Sequence, residues 1–440
     1  MKKSLSLLLF TLLLLEGNFL PAQVTFNKVS FPFGSFSGLV GGITQDNNGY
    51  VWLATQYSGL YRYDGYRFKA YIHDPSNKNS LFINILETVY ADRKGIIWIA
   101  TYIDGIDRFD PATGIFTHFG HNSRDPESLS SDTVRSLLED REGTLWIGTN
   151  RGLDRFDPKT NTFHTYRYNP KDSFSLSCDQ VRKIYEDKQG TLWIGTGSIW
   201  EGEGGETEAG GLNRFDKKTG KFTRFLHKPS DPHSLINNKI QAICEDSRGN
   251  FWVGTAGDGL HTMDREKGTF ERHLYDPHHP DKLSRPPLKE GFFTDHITFI
   301  SEDALGGIWI GTISNGLNRY DPKTQKTVHY GIKDGAVGFS DNSGWSFCNT
   351  KDGVLWIGTW EGGLYRIDPY HRNVPHVAVN GGVSSFTEDA EGNLWMGTRQ
   401  DLLVKNRKTG RFKTFVHEAS DPNSLNNNIN RALFRDRQGT

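Results

Sequence analysis

After residue 24, short apolar runs of about five residues alternate with polar turns that contain glycine. One copy shows the pattern fully, with β-rich runs at 134–138, 145–149, 152–157 and 162–166. In the turn 140–143, Asp140 can bond its own backbone and Gly143 can supply a positive φ. Gly148, inside the second run, lets a neighbouring sheet approach closely. The pattern predicts four antiparallel strands per copy.

A tryptophan marks each copy. Eight of the 11 tryptophans lie three residues after a glycine and precede an apolar residue, Gly or Ala, and Thr: Trp52, Trp98, Trp146, Trp193, Trp252, Trp309, Trp356 and Trp395. Four short strands and one large apolar side chain per ~45 residues are typical of a propeller blade. The sequence therefore predicts an all-β fold, a β-propeller of four-stranded antiparallel blades, with each indole packed between adjoining sheets.

The number of copies bears on domain organisation. Nine copies begin in the chain, and the ninth stops before its tryptophan is due; one propeller typically holds four to eight blades. We therefore predict a seven-bladed first propeller over residues 24–380, closed by an outermost strand from 24–30. Residues 381–440 would form the first blade and part of the next blade of a truncated second propeller. A boundary near 380 is favoured because the tryptophan spacing falls to 39 residues there.

The N-terminus has the pattern of a secretory signal peptide. Lys2 and Lys3 precede an apolar run over 5–15, and a small residue, Ala22, follows. The run is too short to cross a bilayer as a helix. We predict a signal peptide over 1–22 and an exported protein.

Composition excludes some classes of function. The 51 Lys and Arg residues nearly cancel the 52 Asp and Glu residues, for a net charge of −1, so a strongly basic nucleic-acid binder is excluded. Three cysteines do not make a disulfide framework. Cys244 and Cys348 precede equivalent turns and are expected to be small core residues rather than reactive thiols.

The consensus Ile/Leu-x-Glu-Asp-x-x-Gly-x-Leu-Trp-Ile-Gly-Thr, followed by Gly-Leu-x-Arg-Phe-Asp, resembles the two-component regulator propeller repeat. The connector Ser-Asp-Pro-His-Ser-Leu at 230–235 resembles it too. The resemblance implies the periplasmic ligand-sensing region of a sensor histidine kinase, often one that detects glycan breakdown products. It also implies a kinase module outside this chain, a phosphorelay, an inner-membrane anchor and a homodimer of the full-length protein. On that basis we expect the chain to be a fragment.

Several clusters of polar residues have a structural interpretation that we prefer. Glu-Asp pairs recur at five turns, whereas a catalytic carboxylate pair would occur once. The histidines at 273, 278 and 279 lack the spacing of metal ligands. An insertion at 197–210 carries four glutamates that could take Ca²⁺, but it lacks the Asp-x-Asp-x-Asp-Gly frame, so a lid or a plain loop is favoured. We predict no catalytic residues, no metal and no cofactor.

Aromatic residues outside the repeat frame are the candidate ligand-binding residues. They are Trp200, Trp345, Trp360, Tyr102 and Tyr57. Trp345 stands early in an innermost strand, near the expected channel, and Trp200 and Trp360 belong to loops between the second and third strands. Aromatic faces suit the C–H groups of sugar rings. Each residue could equally rest against its own blade.

Three functions fit this pattern. The first is a sensor input region that binds a small oligosaccharide or another periplasmic ligand without chemistry. The second is a propeller lyase or hydrolase acting across the channel, for which no singular His and carboxylate set is visible. The third is a secreted lectin or scaffold. No nucleotide-binding glycine pattern and no kinase histidine motif is present in the sequence, so this chain is not predicted to be an enzyme.

Overall fold

The computed structural model of the chain describes residues 24–30, 38–198, 209–257, 259–274, 276, 278–279, 282, 296–331, 339, 341, 343–360, 363–368, 382–407 and 409–436. The predicted signal peptide 1–22 lies outside these residues. All regular secondary structure within these residues is β-strand. No helix that could cross a membrane occurs in this part of the chain.

The strands form eight four-stranded antiparallel sheets, which we number as blades in chain order. The first strand is β1 (Asn27–Val29). Blade one contains β2 (Val40–Gln45), β3 (Val51–Thr55), β4 (Gly59–Tyr63) and β5 (Phe68–Tyr71). Blade two contains β6 (Leu86–Ala91), β7 (Ile97–Thr101), β8 (Ile106–Asp110) and β9 (Ile115–Phe119). Blade three contains β10 (Val134–Glu139), β11 (Leu145–Thr149), β12 (Gly152–Asp157) and β13 (Thr162–Tyr166). Blade four contains β14 (Val181–Glu186), β15 (Leu192–Thr196), β16 (Gly211–Asp216) and β17 (Lys221–Phe225).

The remaining blades follow the same plan. Blade five contains β18 (Ile240–Glu245), β19 (Phe251–Thr255), β20 (Gly259–Asp264) and β21 (Thr269–His273). Blade six contains β22 (Ile297–Glu302), β23 (Ile308–Thr312), β24 (Leu317–Asp321) and β25 (Lys326–Tyr330). Blade seven contains β26 (Gly344–Asn349), β27 (Leu355–Thr359) and β28 (Leu364–Ile367), together with β1. The eighth sheet contains β29 (Val383–Glu388), β30 (Leu394–Thr398), β31 (Leu402–Lys405) and β32 (Phe412–Phe415).

The first seven blades close into a ring. Each innermost strand packs against the innermost strand of the next blade, and β26 of blade seven packs against β2 of blade one. β1 pairs with β28 as the outermost strand of blade seven, with Lys28 opposite Tyr365. The predicted all-β propeller is confirmed, as is the closing strand from 24–30.

The chain divides into two compact units, 1–371 and 372–440. The second unit contains the eighth sheet. The predicted boundary near residue 380 lies outside the described residues, so the assignment of 381–440 to a second propeller stays a prediction.

Each repeated tryptophan of the ring packs between its own blade and the next. Trp146 of blade three joins a cluster with Val181, Ile184 and Leu192 of blade four. At the closure, Trp356 of blade seven packs with Leu53 and its neighbours in blade one. Trp146 is 3% exposed. The predicted wedging of indoles between sheets is confirmed for all seven blades of the ring.

One carboxylate holds both the turn and the indole of a blade. Asp140 Oδ1 accepts the N–H groups of Glu142 and Thr144 at 3.0 and 2.9 Å, and Oδ2 accepts the indole N–H of Trp146 at 2.9 Å. Gly143 closes the turn at φ +83°. Six other sheets repeat the aspartate–indole bond. Blade seven has Thr350 instead of aspartate, and its hydroxyl bonds Val354 O at 2.7 Å.

The glutamate before that aspartate links neighbouring blades. Glu139 of blade three accepts the N–H of Arg93, in the turn of blade two, at 2.9 Å. Equivalent bonds join later blades, and Gln45 accepts the N–H of Lys351 at 2.8 Å where the ring closes. In the four pairs of blades three to six, the glutamate and the aspartate therefore have separate structural tasks, which agrees with the structural interpretation of these pairs.

In blades two to five, a second recurring bond ties the connector that enters the blade to the third strand of that blade. The acceptor is Asp107 in blade two, Asp154 in blade three and Asn213 in blade four. In blade five the acceptor is His261 Nε2, which receives the N–H of Ile236 at 3.0 Å. Because Nε2 must be unprotonated to accept, the bond requires a neutral imidazole. Burial lowers the pKa of His261 to about 4, consistent with this role.

We expect Trp146→Ala to lower the free energy of unfolding by ~3–5 kcal/mol, because it empties the seam between blades three and four. The ring should still unfold in one transition, since every blade is a neighbour of two others. Chemical denaturation, monitored by fluorescence, measures the free energy of unfolding and shows the number of transitions. The control is Trp360→Ala, outside the repeat frame, which should lower stability much less. Equal effects of the two substitutions would contradict the seam assignment.

We expect stability to fall as the pH is lowered from about 6.5 towards 4. The folded state depresses the pKa of His261 to about 4, whereas the unfolded value is about 6.5, so protons bind the unfolded chain first. His261→Asn places the side chain found at Asn213 and should remove ~3 kcal/mol of this acid loss. Urea titrations at several pH values measure it, with His233→Asn, an exposed histidine, as control. If the loss of stability between about pH 6.5 and 4 is the same in His261→Asn as in wild type, the role of His261 as a neutral acceptor is wrong.

Candidate functional site

The central channel is lined by residues that stand out of the regular strand pairing. In β10 the pairing with β11 passes from Val134 to Ser136, which leaves Arg135 outside the ladder. Such a bulge redirects a side chain. Every innermost strand of the ring has this irregularity at its second residue. We call these residues the mouth ring: Gly41, Glu87, Arg135, Arg182, Gln241, Thr298 and Trp345.

All seven mouth-ring residues line one cavity of about 250 Å³. The loop between the second and third strands adjoins them. Its first residue donates its N–H to the residue that precedes the innermost strand, as Tyr102 does to Ile85 O at 3.2 Å and Trp360 does to Ser343 O at 3.2 Å. These loops and the mouth ring therefore lie at the same face of the propeller.

The structure brings two of the predicted aromatic residues together. Trp345 and Trp360 of blade seven pack edge to face, with centroids 4.9 Å apart and an interplanar angle of 71°. Both are partly buried, and Trp345 lines the channel as expected. An edge-to-face pair leaves part of a ring face available to a ligand.

The other predicted residues have different surroundings. The guanidinium of Arg135 lies over the ring of Tyr102, with its Cζ 4.3 Å from the ring centroid. Tyr57 is 63% exposed in the corresponding loop of blade one and is not among the residues that line the channel. Trp200 falls outside the described residues. The ligand role of all five stays a prediction.

The opposite part of the mouth ring is charged, and sequence reasoning missed it. Arg135 Nη1 lies 3.2 Å from Glu87 Oε1, and the arginine side chain is 2% exposed. Arg182 donates to Ser198 Oγ, and Gln241 Nε2 donates to Gly197 O at 3.4 Å. The available signal was that the second residue of the innermost strand changes from copy to copy, while the residue before it is apolar in six of the seven copies.

The channel has an electropositive wall. Lys183 follows Arg182 in β14 and also lines the cavity, where burial lowers the pKa of its ammonium. Burial, with a smaller contribution from Lys239, lowers the pKa of His296 to about 4, so His296 is neutral at pH 7. Glu87 is the one carboxylate among the described lining residues. Arg135 and Arg182 against Glu87 leave an excess of one positive charge, and Lys183 adds a second when it is protonated.

The described histidines do not form a metal site. His279 Nδ1 bonds Asp276 Oδ2 at 2.7 Å in an exposed segment. No group of three or more His, Cys, Asp or Glu residues within the described ranges is placed to hold a metal ion. The glutamates of the insertion at 197–210 fall in 199–208, outside those ranges.

Family comparison identifies the repeat. Residues 128–151, 175–198, 234–257 and 379–400 match the family described as two component regulator propeller. These segments belong to copies three, four, five and eight. No curated protein sequence matches the chain.

Solved structures with the same fold include extracellular domains of two-component systems. The extracellular domain of a hybrid two-component system from B. thetaiotaomicron is 26% identical, with a TM-score of 0.63 over 94% of this chain and 51% of that one. A second such domain from B. thetaiotaomicron is 19% identical, with a TM-score of 0.58 over 94% and 50%. Virginiamycin B lyase from Staphylococcus aureus is 14% identical, with a TM-score of 0.54 over 78% and 99%. The chain spans about half the length of the two extracellular domains.

We expect none of the three thiols to react in the native protein. Burial raises the pKa of Cys244 and of Cys348 to about 12 and raises that of Cys178, and the thiolate is the reactive form. Titration with Ellman's reagent at pH 8 should give no rapid reaction before denaturation and three equivalents afterwards. Rapid release of one equivalent from the native chain would contradict the core assignment of these cysteines.

Proposed function

We propose, from the premise that the chain carries the repeats of the two-component regulator propeller family, that it is the ligand-binding input region of a periplasmic sensor and recognises an oligosaccharide. The observation that carries this proposal is the edge-to-face pair of Trp345 and Trp360 beside the channel. The indole of Trp345 in the wall, with Trp360 packed against it, and the polar side chains of the mouth ring suit a sugar, which needs an apolar platform and hydrogen-bonding partners.

The mouth ring supports a binding function because its side chains differ from blade to blade, while the second strand keeps its Trp-x-Gly/Ala-Thr pattern. Gly41 lies against the backbone of blade two, where a Cβ would come within 2.1 Å of Glu87 O. Gln241 and Thr298 add an amide and a hydroxyl group to the wall, whose oxygens can accept from a sugar. These side chains stand on the ends of strands whose turns and indoles are held by hydrogen bonds. A rigid support of this kind reduces the ordering cost of binding.

We propose that this region binds its ligand without chemistry. The carboxylate of Glu87 is engaged by Arg135 at 3.2 Å. His296 stands before β22 in blade six, which is three blades away from the blade of Glu87 in one direction around the ring and four in the other. That arrangement does not supply the adjacent acid and base that a lyase needs.

We extend the proposal to the protein of which this region is part. The two B. thetaiotaomicron domains come from two-component systems, so we propose that ligand binding here is coupled to a kinase module and a phosphorelay. On the same basis we propose a periplasmic location, an inner-membrane anchor and a homodimer of the full-length protein. The signal-peptide pattern at 1–22 supports export.

We expect the double variant Trp345→Ala/Trp360→Ala to lose oligosaccharide affinity by at least about tenfold, because loss of a stacking platform removes roughly 1–3 kcal/mol. Calorimetry with a panel of neutral and acidic oligosaccharides measures the affinity. Trp200→Ala combined with Trp360→Ala should also abolish binding without lowering the melting temperature. The matched control is Tyr66→Ala, since Tyr66 is 96% exposed in a turn at the other face.

Two outcomes would contradict the proposal. The first is unchanged affinity in the folded Trp345→Ala/Trp360→Ala variant. The second is shortened or unsaturated sugar after incubation with the wild-type chain, which would favour a lyase or hydrolase. Recovery of the oligosaccharide intact, together with loss of affinity in the variant, supports binding without chemistry.

A further inference from the structure

The positive charges of the channel are gathered on two adjacent blades. Arg135 belongs to blade three, and Arg182 and Lys183 belong to blade four. All three line the same cavity, in which Glu87 is the one described carboxylate and is already bonded to Arg135. A channel lined by charges of one sign attracts ligands of the opposite sign, because its low-dielectric walls focus the field.

Lys183 is the third residue of its innermost strand β14 and directly follows the mouth-ring residue Arg182. Among the equivalent third residues of the innermost strands it is the one that carries a charge; the others are Gly42, Thr88, Ser136, Ala242, Phe299 and Ser346. Within the described part of the chain, Lys183 has no hydrogen-bonding partner and no carboxylate partner. A cation held in a protein wall without a counter-ion is costly, so such positions usually have a partner.

Ser136 adds a hydroxyl to the same wall from blade three. It is 8% exposed and lines the cavity, and its Oγ has no hydrogen-bonding partner among the described residues. Buried polar groups that lack a protein partner are uncommon and often face a ligand or water. An anionic oxygen in the channel could accept a hydrogen bond from Ser136 and pair with Lys183.

The ring order places this wall opposite the tryptophans. Blade seven, with Trp345 and Trp360, is three steps from blade four in one direction and three steps from blade three in the other. In a seven-membered ring, blades three and four therefore face blade seven across the channel. A ligand that spans the channel meets aromatic rings on one side and cations on the other.

We propose that the wall formed by Arg135, Ser136, Arg182 and Lys183 binds an anionic group, so that the oligosaccharide is an acidic one carrying a uronic carboxylate or a sulfate ester. This inference rests on the function proposed above and adds the charge class of its ligand. The sugar ring packs on Trp345 and Trp360, and its acidic group reaches the opposite wall. Charge-assisted hydrogen bonds of this kind are stronger than those between neutral groups.

The first arm of the test uses an inorganic probe. Melting temperatures of the exported chain are measured against sodium sulfate and against sodium chloride at equal ionic strength. We expect a saturable extra stabilisation by sulfate in wild type and in Lys159→Met, an exposed lysine at the other face. The extra stabilisation should be absent in Lys183→Met, which removes an unpaired cation and should fold, and in Lys183→Gln. Equal sulfate effects in all four proteins would overturn the proposal.

The second arm uses sugars of equal length, a galacturonic acid trimer, a sulfated trimer and a neutral galactose trimer. We expect at least one acidic trimer to bind, with affinity lowered about tenfold or more in Lys183→Met and raised in Glu87→Gln. If the neutral trimer binds as well as the acidic ones and Lys183→Met changes nothing, the acidic class is wrong while the proposed function stands. If sulfate binds through Lys183 and no trimer does, the oligosaccharide function is wrong and so is this inference.

Discussion

The hydrogen bonds from one aspartate to a turn and to an indole are the interaction on which the ring depends. A single carboxylate, as in Asp140, satisfies two backbone N–H groups and the indole N–H of Trp146. The indole is then fixed in the direction in which it must enter the next blade. Because the preceding glutamate bonds the turn of the blade before it, turn, indole and neighbouring blade are held in one chain of contacts. A buried polar network of this kind stabilises only when all its members are satisfied.

That constraint determines where the chain can vary. The residues of the turn, the second strand and the seam must keep their shape in every blade, since each serves two neighbours. The bulge residue of the innermost strand is outside the ladder and lines the channel, so its side chain differs from blade to blade. Gly41 is constrained, because a Cβ there would lie 2.1 Å from Glu87 O of blade two. The result is a ring whose framework repeats and whose mouth is asymmetric, with arginines on blades three and four and a tryptophan on blade seven.

Much of the fold could be read from the sequence because the repeated pattern is local. The second, third and fourth strands of blade three begin and end at the predicted residues. The closing strand β1 and the position of Trp345 at the channel also followed from counting copies. Gly195 shows why a small residue is needed in the second strand: a Cβ there would lie 2.7 Å from Ile240 of blade five.

The rest depended on contacts that a linear pattern does not display. Glu139 bonds a backbone group 46 residues earlier, which no local periodicity indicates. The arginines of the mouth ring resemble solvent-facing strand residues until the shift of register at Val134 and Ser136 is known. Trp200 and the boundary near residue 380 lie outside the described residues, and the ligand role of the aromatic residues stays a prediction.

The most direct measurement uses the indole N–H groups themselves as probes. In a ¹⁵N-labelled chain the 11 tryptophans give separate indole signals, which single Trp→Phe substitutions assign. When an acidic oligosaccharide is added, the account predicts that the signals of Trp345 and Trp360 shift, while those of the eight repeated tryptophans stay in place. Shifts confined to the repeated tryptophans, with Trp345 and Trp360 unmoved, would contradict it.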